Sequence, residues 1–336
     1  MKKTISVVIA THNSEEFIRS TINSVLTQTL LPEEIIIVDD CSCDNTIEIL
    51  ETIAAVALVP VRVIRLDRNS GGPAAPLNRG IEAAKGNLIA TLDHDDWMLP
   101  DKLKTQQIAM KHFHDIGLSF SLPLLEGLTA ISPIVARAAD IIRDLGDTRS
   151  NETILRIDAR KAYCALVSSQ FTLSCSSMVF PKTVWSKVRG FDESMKICCD
   201  SNFIQKITKS FDIAFVQEPL YYWNLRENSH SKTSSIMKYV DEYIKVMKDF
   251  ESHILSVPAK LERKRSSGEH LLTVAYRLRE SGNYEYALRY YIKSLPYVWF
   301  DTDAILGLVK LVPHWLLFKS GVLNKDISDF NKNGQG

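Results

Sequence analysis

The sequence predicts an α/β protein built on a mostly parallel sheet with helices on both faces, and three observations carry that prediction. Short β-branched runs without polar alternation recur at 5–10, 34–38, 61–66 and 87–92, as in strands covered on both faces. Helical stretches separate them, and strand–helix alternation in short units favours parallel pairing. Each run is followed by polar residues: Thr11-His12-Asn13, Asp39-Asp40, Arg68-Asn69 and Asp93-His94-Asp95-Asp96. In such sheets ligands bind beyond the carboxyl ends of the strands, where the loops converge.

Taken in order, Ile5–Ala10 is the first strand. Asn13 or Ser14 is placed to cap the next helix, whose Phe17, Ile18, Ile22, Val25 and Leu26 share one face. Glu34–Val38 and Val61–Leu66 are the second and third strands. Pro73 starts a helix that runs to Lys85 and stops at Gly86. Asn87–Leu92 is the fourth strand, and Pro100 opens a helix to about Phe113. From Ser119 to Lys161 the pattern is irregular, punctuated by Pro123, Gly127, Pro133 and Gly146. Phe171–Phe180 alternates as a strand does, and Pro181 begins a short helix to Arg189. Gly190-Phe191-Asp192-Glu193 is a turn, and Cys198-Cys199-Asp200 leads into an amphipathic helix. Asp212–Gln217 is a further strand.

After Ser231 the composition changes to helix formers, with Ile236, Val240, Tyr243, Met247, Phe250 and Ile254 on one stripe. Glu269–Leu295 reads as a helical hairpin turned at Ser281-Gly282-Asn283, similar to one tetratricopeptide-type repeat. A single repeat makes a cap, not a solenoid. Val298–Phe318 is apolar but broken by Asp301, Asp303, Lys310 and Pro313; packing on the hairpin is favoured over contact with a membrane surface. Two regions result, 1–233 and a helical 234–336, the latter a surface for a protein partner or self-association.

Composition narrows the function classes. The chain has 336 residues, room for one large domain and a smaller appendage. Forty basic residues balance forty acidic ones, so nothing marks a nucleic-acid partner. The six cysteines form neither a disulfide framework nor a Cys-x-x-Cys zinc pattern, and reduced thiols in a cytoplasmic setting are expected. The apolar start is cut at Thr11, too short for secretion or spanning.

The most informative stretch is Leu88–Trp97. An apolar run ends in three carboxylates within four residues, Asp93, Asp95 and Asp96. Clustered anions repel and gain nothing from an apolar core, whereas a hard divalent cation takes carboxylate oxygens at an Asp-x-Asp spacing. A capped helix start at Asp95-Asp96 explains one of the three.

These pieces resemble the family 2 glycosyltransferases, inverting enzymes of the GT-A type fold. The resemblance runs from about Ile5 to Thr233. It rests on Ser6–Asn13, Ile37–Thr46, Arg68-Asn69-Ser70-Gly71-Gly72 continuing to Asn78-Arg79-Gly80, Leu92–Pro100, Gly190–Glu193 and Asp200. Each piece alone is weak, but their order and spacing together are specific.

The resemblance implies a nucleotide-sugar-binding half, 1–115, and an acceptor-binding half, 116–233. Thr11, Asn13, Asp39, Asn69, Gly71, Gly72, Asn78, Arg79 and Asp93 fall in its donor site. Asp39 accepts the N–H of a uracil or thymine base, and the glycines let backbone approach the nucleotide. The other readings are turn residues for Asp39 and Asp40, and a surface ion pair for Arg79. Asp95 ligates Mn2+ or Mg2+, while Asp93 holds the ribose or a metal-bound water. His230 matches a loop over the diphosphate, with a solvated loop histidine as the rival reading.

Asp200 is the general base by position, although Cys199 stands where relatives carry glutamate, and Arg189 where many carry glycine. No Gln-x-x-Arg-Trp element of processive synthases is present. The implied activity is metal-dependent, inverting transfer of one sugar from a UDP- or dTDP-sugar to a carbohydrate, lipid-linked or protein hydroxyl, in the cytoplasm or at the inner membrane face. The rival is a catalytically impaired binding or scaffold protein acting through its helical tail.

Overall fold

The computed structural model describes residues 4–125, 133–147, 152–167, 173–224, 236–248, 257–280 and 282–297. The chain divides into two compact units, Met1–Leu166 with Gln170–Arg226, and Val167–Ser169 with Glu227–Gly336.

The first unit opens with β1 (Ile5–Thr11), α1 (Ile18–Leu26), β2 (Glu34–Asp39), α2 (Thr46–Val56), β3 (Val61–Arg65), α3 (Ala74–Ala83) and β4 (Leu88–Asp93). It continues through β5 (Trp97–Met98), α4 (Lys102–His112), β6 (Leu118–Leu125), α5 (Pro133–Leu145), β7 (Ile154–Ile157) and α6 (Ala159–Val167). A one-turn 3-10 segment, Cys175–Ser177, leads into β8 (Met178–Pro181), α7 (Lys182–Lys187), α8 (Cys199–Thr208) and β9 (Ile213–Trp223). The sheet order is β3-β2-β1-β4-β8-β6-β9-β5, with β7 on β9.

The four strands legible in the sequence pair in parallel, β3 to β2, β2 to β1 and β1 to β4. Every residue of β1 and β2 is buried, which explains their unalternating apolar runs. Helix α1 turns Ile18, Ile22 and Val25 into the core at helical spacing. Beyond β4 the sheet is mixed. β8 runs antiparallel to β4 and β6, and β6 runs parallel to β9. Strands and helices still alternate there, so alternation alone does not set the direction of these strands.

Three departures from the sequence reading follow. The irregular stretch after Ser119 contains β6, α5 and β7, and the register of β6 against β9 shifts between Ser121 and Pro123, at the proline. Within the described part of the strand expected over 171–180, Cys175–Ser177 turns instead and β8 starts only at Met178. β9 extends through the aromatic stretch to Trp223.

Arg156 ties this second half together. It is 4 % exposed, its guanidinium grips both Asp115 oxygens at 2.5 and 2.7 Å, and it reaches Asp212 at 2.6 Å. Those charge-assisted bonds hold it fully protonated. Arg156→Ala takes the guanidinium from the half-buried Asp212, which keeps the Ala159 N–H at 2.8 Å, and a stability loss of about 1–3 kcal/mol is expected in chemical denaturation.

The second unit comprises α9 (Ile236–Lys248), α10 (Val257–Glu280) and α11 (Tyr284–Ser294). Leu271, Val274, Ala275 and Leu278 of α10 pack against Ala287, Tyr290 and Tyr291 of α11. Gly282 takes the left-handed φ of +78° that the hairpin turn requires. No described helix is long and apolar enough to cross a membrane. Phe250, Ile254 and Val298–Phe318 lie outside the described residues.

Candidate active site

The end of β1 sits between two acidic strand ends, with Thr11 in register with Asp39 of β2 and Ala10 with Asp93 of β4. The loops after β1 and β2 are stapled together. Asn13, at φ +46°, receives the Cys43 N–H on its side-chain oxygen at 2.8 Å and donates its own N–H to Ser42 Oγ at 2.8 Å. The hydroxyls of Thr11 and Ser14 share a hydrogen bond, and the Ser14 N–H donates to Thr46 Oγ1 at 2.8 Å. Asp39 is buried, and Ser42 donates to its two oxygens at 2.5 and 3.1 Å. Half of its acceptor capacity is left for a donor group. Asp40 clamps the next loop, taking the Ser70 N–H at 2.8 Å and the Ser70 hydroxyl at 2.9 Å.

Asn69 donates to the Asp40 carbonyl at 3.0 Å and lies 3.2 Å from both ring nitrogens of His12, which joins three strand-end loops. Its side-chain oxygen accepts the N–H of Gly71, whose φ of +79° suits glycine. At Gly72 a Cβ would stand 2.7 Å from the Lys196 Cα and carbonyl oxygen. Those are backbone atoms that cannot swing away. Lys196 also ties the loop by donating to the Ser70 carbonyl at 2.7 Å. Gly72→Ala is expected to cost about 1–3 kcal/mol of stability, read as a lowered Tm.

Asn78 and Arg79 face elsewhere. Asn78 donates to the Phe191 carbonyl and Glu193 at 2.9 and 3.0 Å, and accepts from the Trp185 indole and the Phe191 N–H at 3.1 and 2.9 Å. All four hydrogen-bonding positions are used within the protein, so Asn78 builds the Gly190–Glu193 turn and has none left for a sugar nucleotide. Arg79 pairs with Glu82 at 3.1 Å on the helix surface, the rival reading of that residue. A cleft of about 570 Å³ beside it is lined by Trp185, Arg189 and Glu193, among others, and by none of Asp39, Asp93, Asp95 or Asp200. Arg189 holds φ +61°, the conformation that a glycine there would adopt freely.

The acids at the end of β4 form one electrostatic cluster with Asp200. Burial and the neighbouring Asp96, Asp95 and Asp200 carboxylates raise the Asp93 carboxyl well above its ordinary range. Asp200, in the first turn of α8, takes the Ser201 N–H on Oδ1 at 2.6 Å, yet burial still pushes it up to about 6. Cys199 is buried and its thiol meets that of Cys175. A glutamate in its place would bury another carboxylate within the same anionic neighbourhood.

Two residues had no role assigned from sequence. Asp96 is 1 % exposed and receives the Ser176 hydroxyl at 2.5 Å and the Asn224 N–H at 3.0 Å. Ser176 lies 80 residues from Asp96, with no motif around it. His230 lies outside the described residues.

Among the described residues no cage of three or more His, Cys, Asp or Glu side chains awaits a metal. What fits a cation is the donor chemistry. Asp93 and its neighbours are hard oxygen ligands carrying mutually repelling charge, suited to Mn2+ or Mg2+ with further oxygens supplied by a bound donor.

Acidic residues gathered at the strand ends of a sheet whose first half is parallel define the class of fold, the GT-A type. Residues 6–119 match the model of Glycosyl transferase family 2. It is 43% identical over 100 residues to the succinoglycan biosynthesis protein ExoO of Rhizobium meliloti, covering 30% of this chain and 28% of that protein. It is 24% identical over 257 residues to the poly(ribitol-phosphate) β-N-acetylglucosaminyltransferase TarS of Staphylococcus aureus, covering 75% of this chain and 40% of TarS. The chain thus spans less than half the length of these curated relatives. The crystal structure of TarS 1–349 in complex with UDP superposes with a TM-score of 0.61 at 19% identity, covering 96% of this chain and 94% of that one. The mannosyltransferase PcManGT of Pyrobaculum calidifontis, in complex with GDP-Man and Mn2+, gives 0.58 at 13% identity, covering 94% and 87%.

Proposed function

We propose that the protein is a metal-dependent inverting glycosyltransferase that moves one sugar from a nucleotide-diphosphate sugar, UDP- or dTDP-linked by preference, to an acceptor hydroxyl in glycan or glycoconjugate synthesis. The observation that carries this reading is the flanking of the β1 terminus by Asp39 on one side and the Asp93–Asp200 cluster on the other. The complexes of TarS with UDP and of PcManGT with GDP-Man and Mn2+ support the donor class and the cation.

In this reading Asp39 accepts the base N–H, and the Asn69–Gly72 loop brings backbone against the nucleotide. Asp93 and Asp95 would hold Mn2+ or Mg2+. Bound there, the ion acts as a Lewis acid for the leaving group. Asp200 takes the acceptor hydroxyl proton while that oxygen bonds to the anomeric carbon and the bond to the diphosphate oxygen breaks. One displacement inverts the configuration. A carboxyl titrating near 6 is deprotonated at neutral pH yet is a stronger base than an ordinary aspartate.

Cys199 occupies a core position and leaves Asp200 in place, so its replacement of glutamate does not itself favour a scaffold. Calorimetry with UDP-, dTDP- and GDP-sugars, with and without Mn2+, tests the proposal. Mn2+-enhanced binding of one donor is expected; no binding of any would favour the scaffold.

A further inference from the structure

The three carboxylates at the end of β4 are not equivalent, and one buried serine separates them. Ser176 is fully buried, and its Oγ accepts the Asp93 N–H at 3.0 Å. The same oxygen lies 2.5 Å from Asp96 Oδ2 and 3.2 Å from Asp93 Oδ2. A hydroxyl has one proton to give, and the shorter contact takes it. Asp96 therefore has a donor on each oxygen, Ser176 on one and the Asn224 N–H on the other.

The turn carrying Ser176 is pinned from three elements. Thr91 of β4 donates to the Cys175 carbonyl at 2.7 Å, and Gln106 of α4 donates to the Ser177 carbonyl at 2.9 Å. Ser174 shares a 2.9 Å hydrogen bond with the Tyr221 hydroxyl of β9. Gln106 is itself fixed by the ammonium of Lys102, which is fully buried and also approaches the Ser177 carbonyl at 3.4 Å. Such a network resists movement of the hydroxyl at its tip.

We infer that Ser176 is a positioning residue: it commits Asp96 to bracing β4 against the 175–177 turn and the end of β9, leaving Asp93 and Asp95 as the pair that meets a cation. The inference rests on the reading of that pair as the cation-facing acids. It divides the acidic run by role, which the spacing of the carboxylates in the sequence does not do.

The test is Mn2+ affinity by electron paramagnetic resonance, with UDP and separately GDP present, in the wild type, Ser176→Ala, Asp95→Asn and Asp96→Asn, well below each melting temperature. Ser176→Ala is expected to weaken Mn2+ binding about 10–100-fold in protein that is still folded, the range for losing a residue that orients a ligand. Asp96→Asn can keep its place, accepting from Asn224 and donating to Ser176, and is expected to lose at least about tenfold less affinity than Asp95→Asn. An unchanged Mn2+ dissociation constant in folded Ser176→Ala overturns the positioning role and leaves a packing one. If Ser176→Ala does not fold, Asp96→Asn as damaging as Asp95→Asn overturns the division of roles. A wild type that takes up no Mn2+ with either nucleotide overturns the cation reading beneath both.

Discussion

Asp200→Asn is expected to lower kcat about 10²–10⁴-fold while leaving the donor dissociation constant within about twofold. Asparagine keeps the shape, so donor contacts across the cleft survive, but it cannot accept the acceptor proton. The wild-type pH profile supplies a second readout. The carboxylate form is the active one, so kcat/KM rises with pH through about 6 and falls below it. A bound cation stabilises the carboxylate and moves that limb downwards.

Stability changes in the opposite sense. Burial raises the folded-state value from 3.8 to about 6, so the native protein holds the Asp200 proton to higher pH than the unfolded chain does. That contribution is fully present below pH 4 and is lost as pH rises through 6. Above 6 the ionised carboxylate costs the metal-free fold up to about 3 kcal/mol, because each tenfold gain in proton affinity on folding corresponds to about 1.4 kcal/mol. In EDTA at pH 7.5, Asp200→Asn should therefore melt above the wild type. A variant that retains turnover would contradict the assigned base.

Asp95→Ala is the second large effect, and it differs in kind. Losing Lewis-acid stabilisation of the leaving diphosphate removes several kcal/mol, or about 10³-fold or more in turnover. Donor binding is expected to fall with it, because a cation held by Asp95 would offset the charge of the diphosphate. Raising Mn2+ tenfold does not restore Asp200→Asn, whereas a weakened metal site regains part of its activity. Initial rates over a Mn2+ series separate the two.

The legible part of this chain was the part where local pattern and tertiary role coincide. β1, β2 and β4 are buried on both faces, and their apolar runs announce it, while the edge strand β3 is only half-buried. Their polar ends lie beside one another because the strands are parallel neighbours. Asp39, Asp93 and Asp95 were therefore visible as candidates from sequence. Asn78 matched a family element but spends all four of its hydrogen bonds on the Gly190–Glu193 turn, a commitment only the folded chain displays. β6 and β7 were obscured by Pro123, Pro133 and Gly146, residues that punctuate local patterns even where long-range pairing holds the strand. Ser176 had no signal, since a lone serine in a polar turn acquires meaning from two carboxylates 80 or more residues away.

The most direct test of metal-dependent sugar transfer is nucleotide-diphosphate release from a panel of UDP-, dTDP- and GDP-sugars. It is run with Mn2+ and again with EDTA, using wild type and Asp200→Asn. Release from one donor class by the wild type, lost in EDTA and lost in Asp200→Asn, is the predicted result. Equal release in EDTA and in Asp200→Asn, or none from any donor, would contradict it.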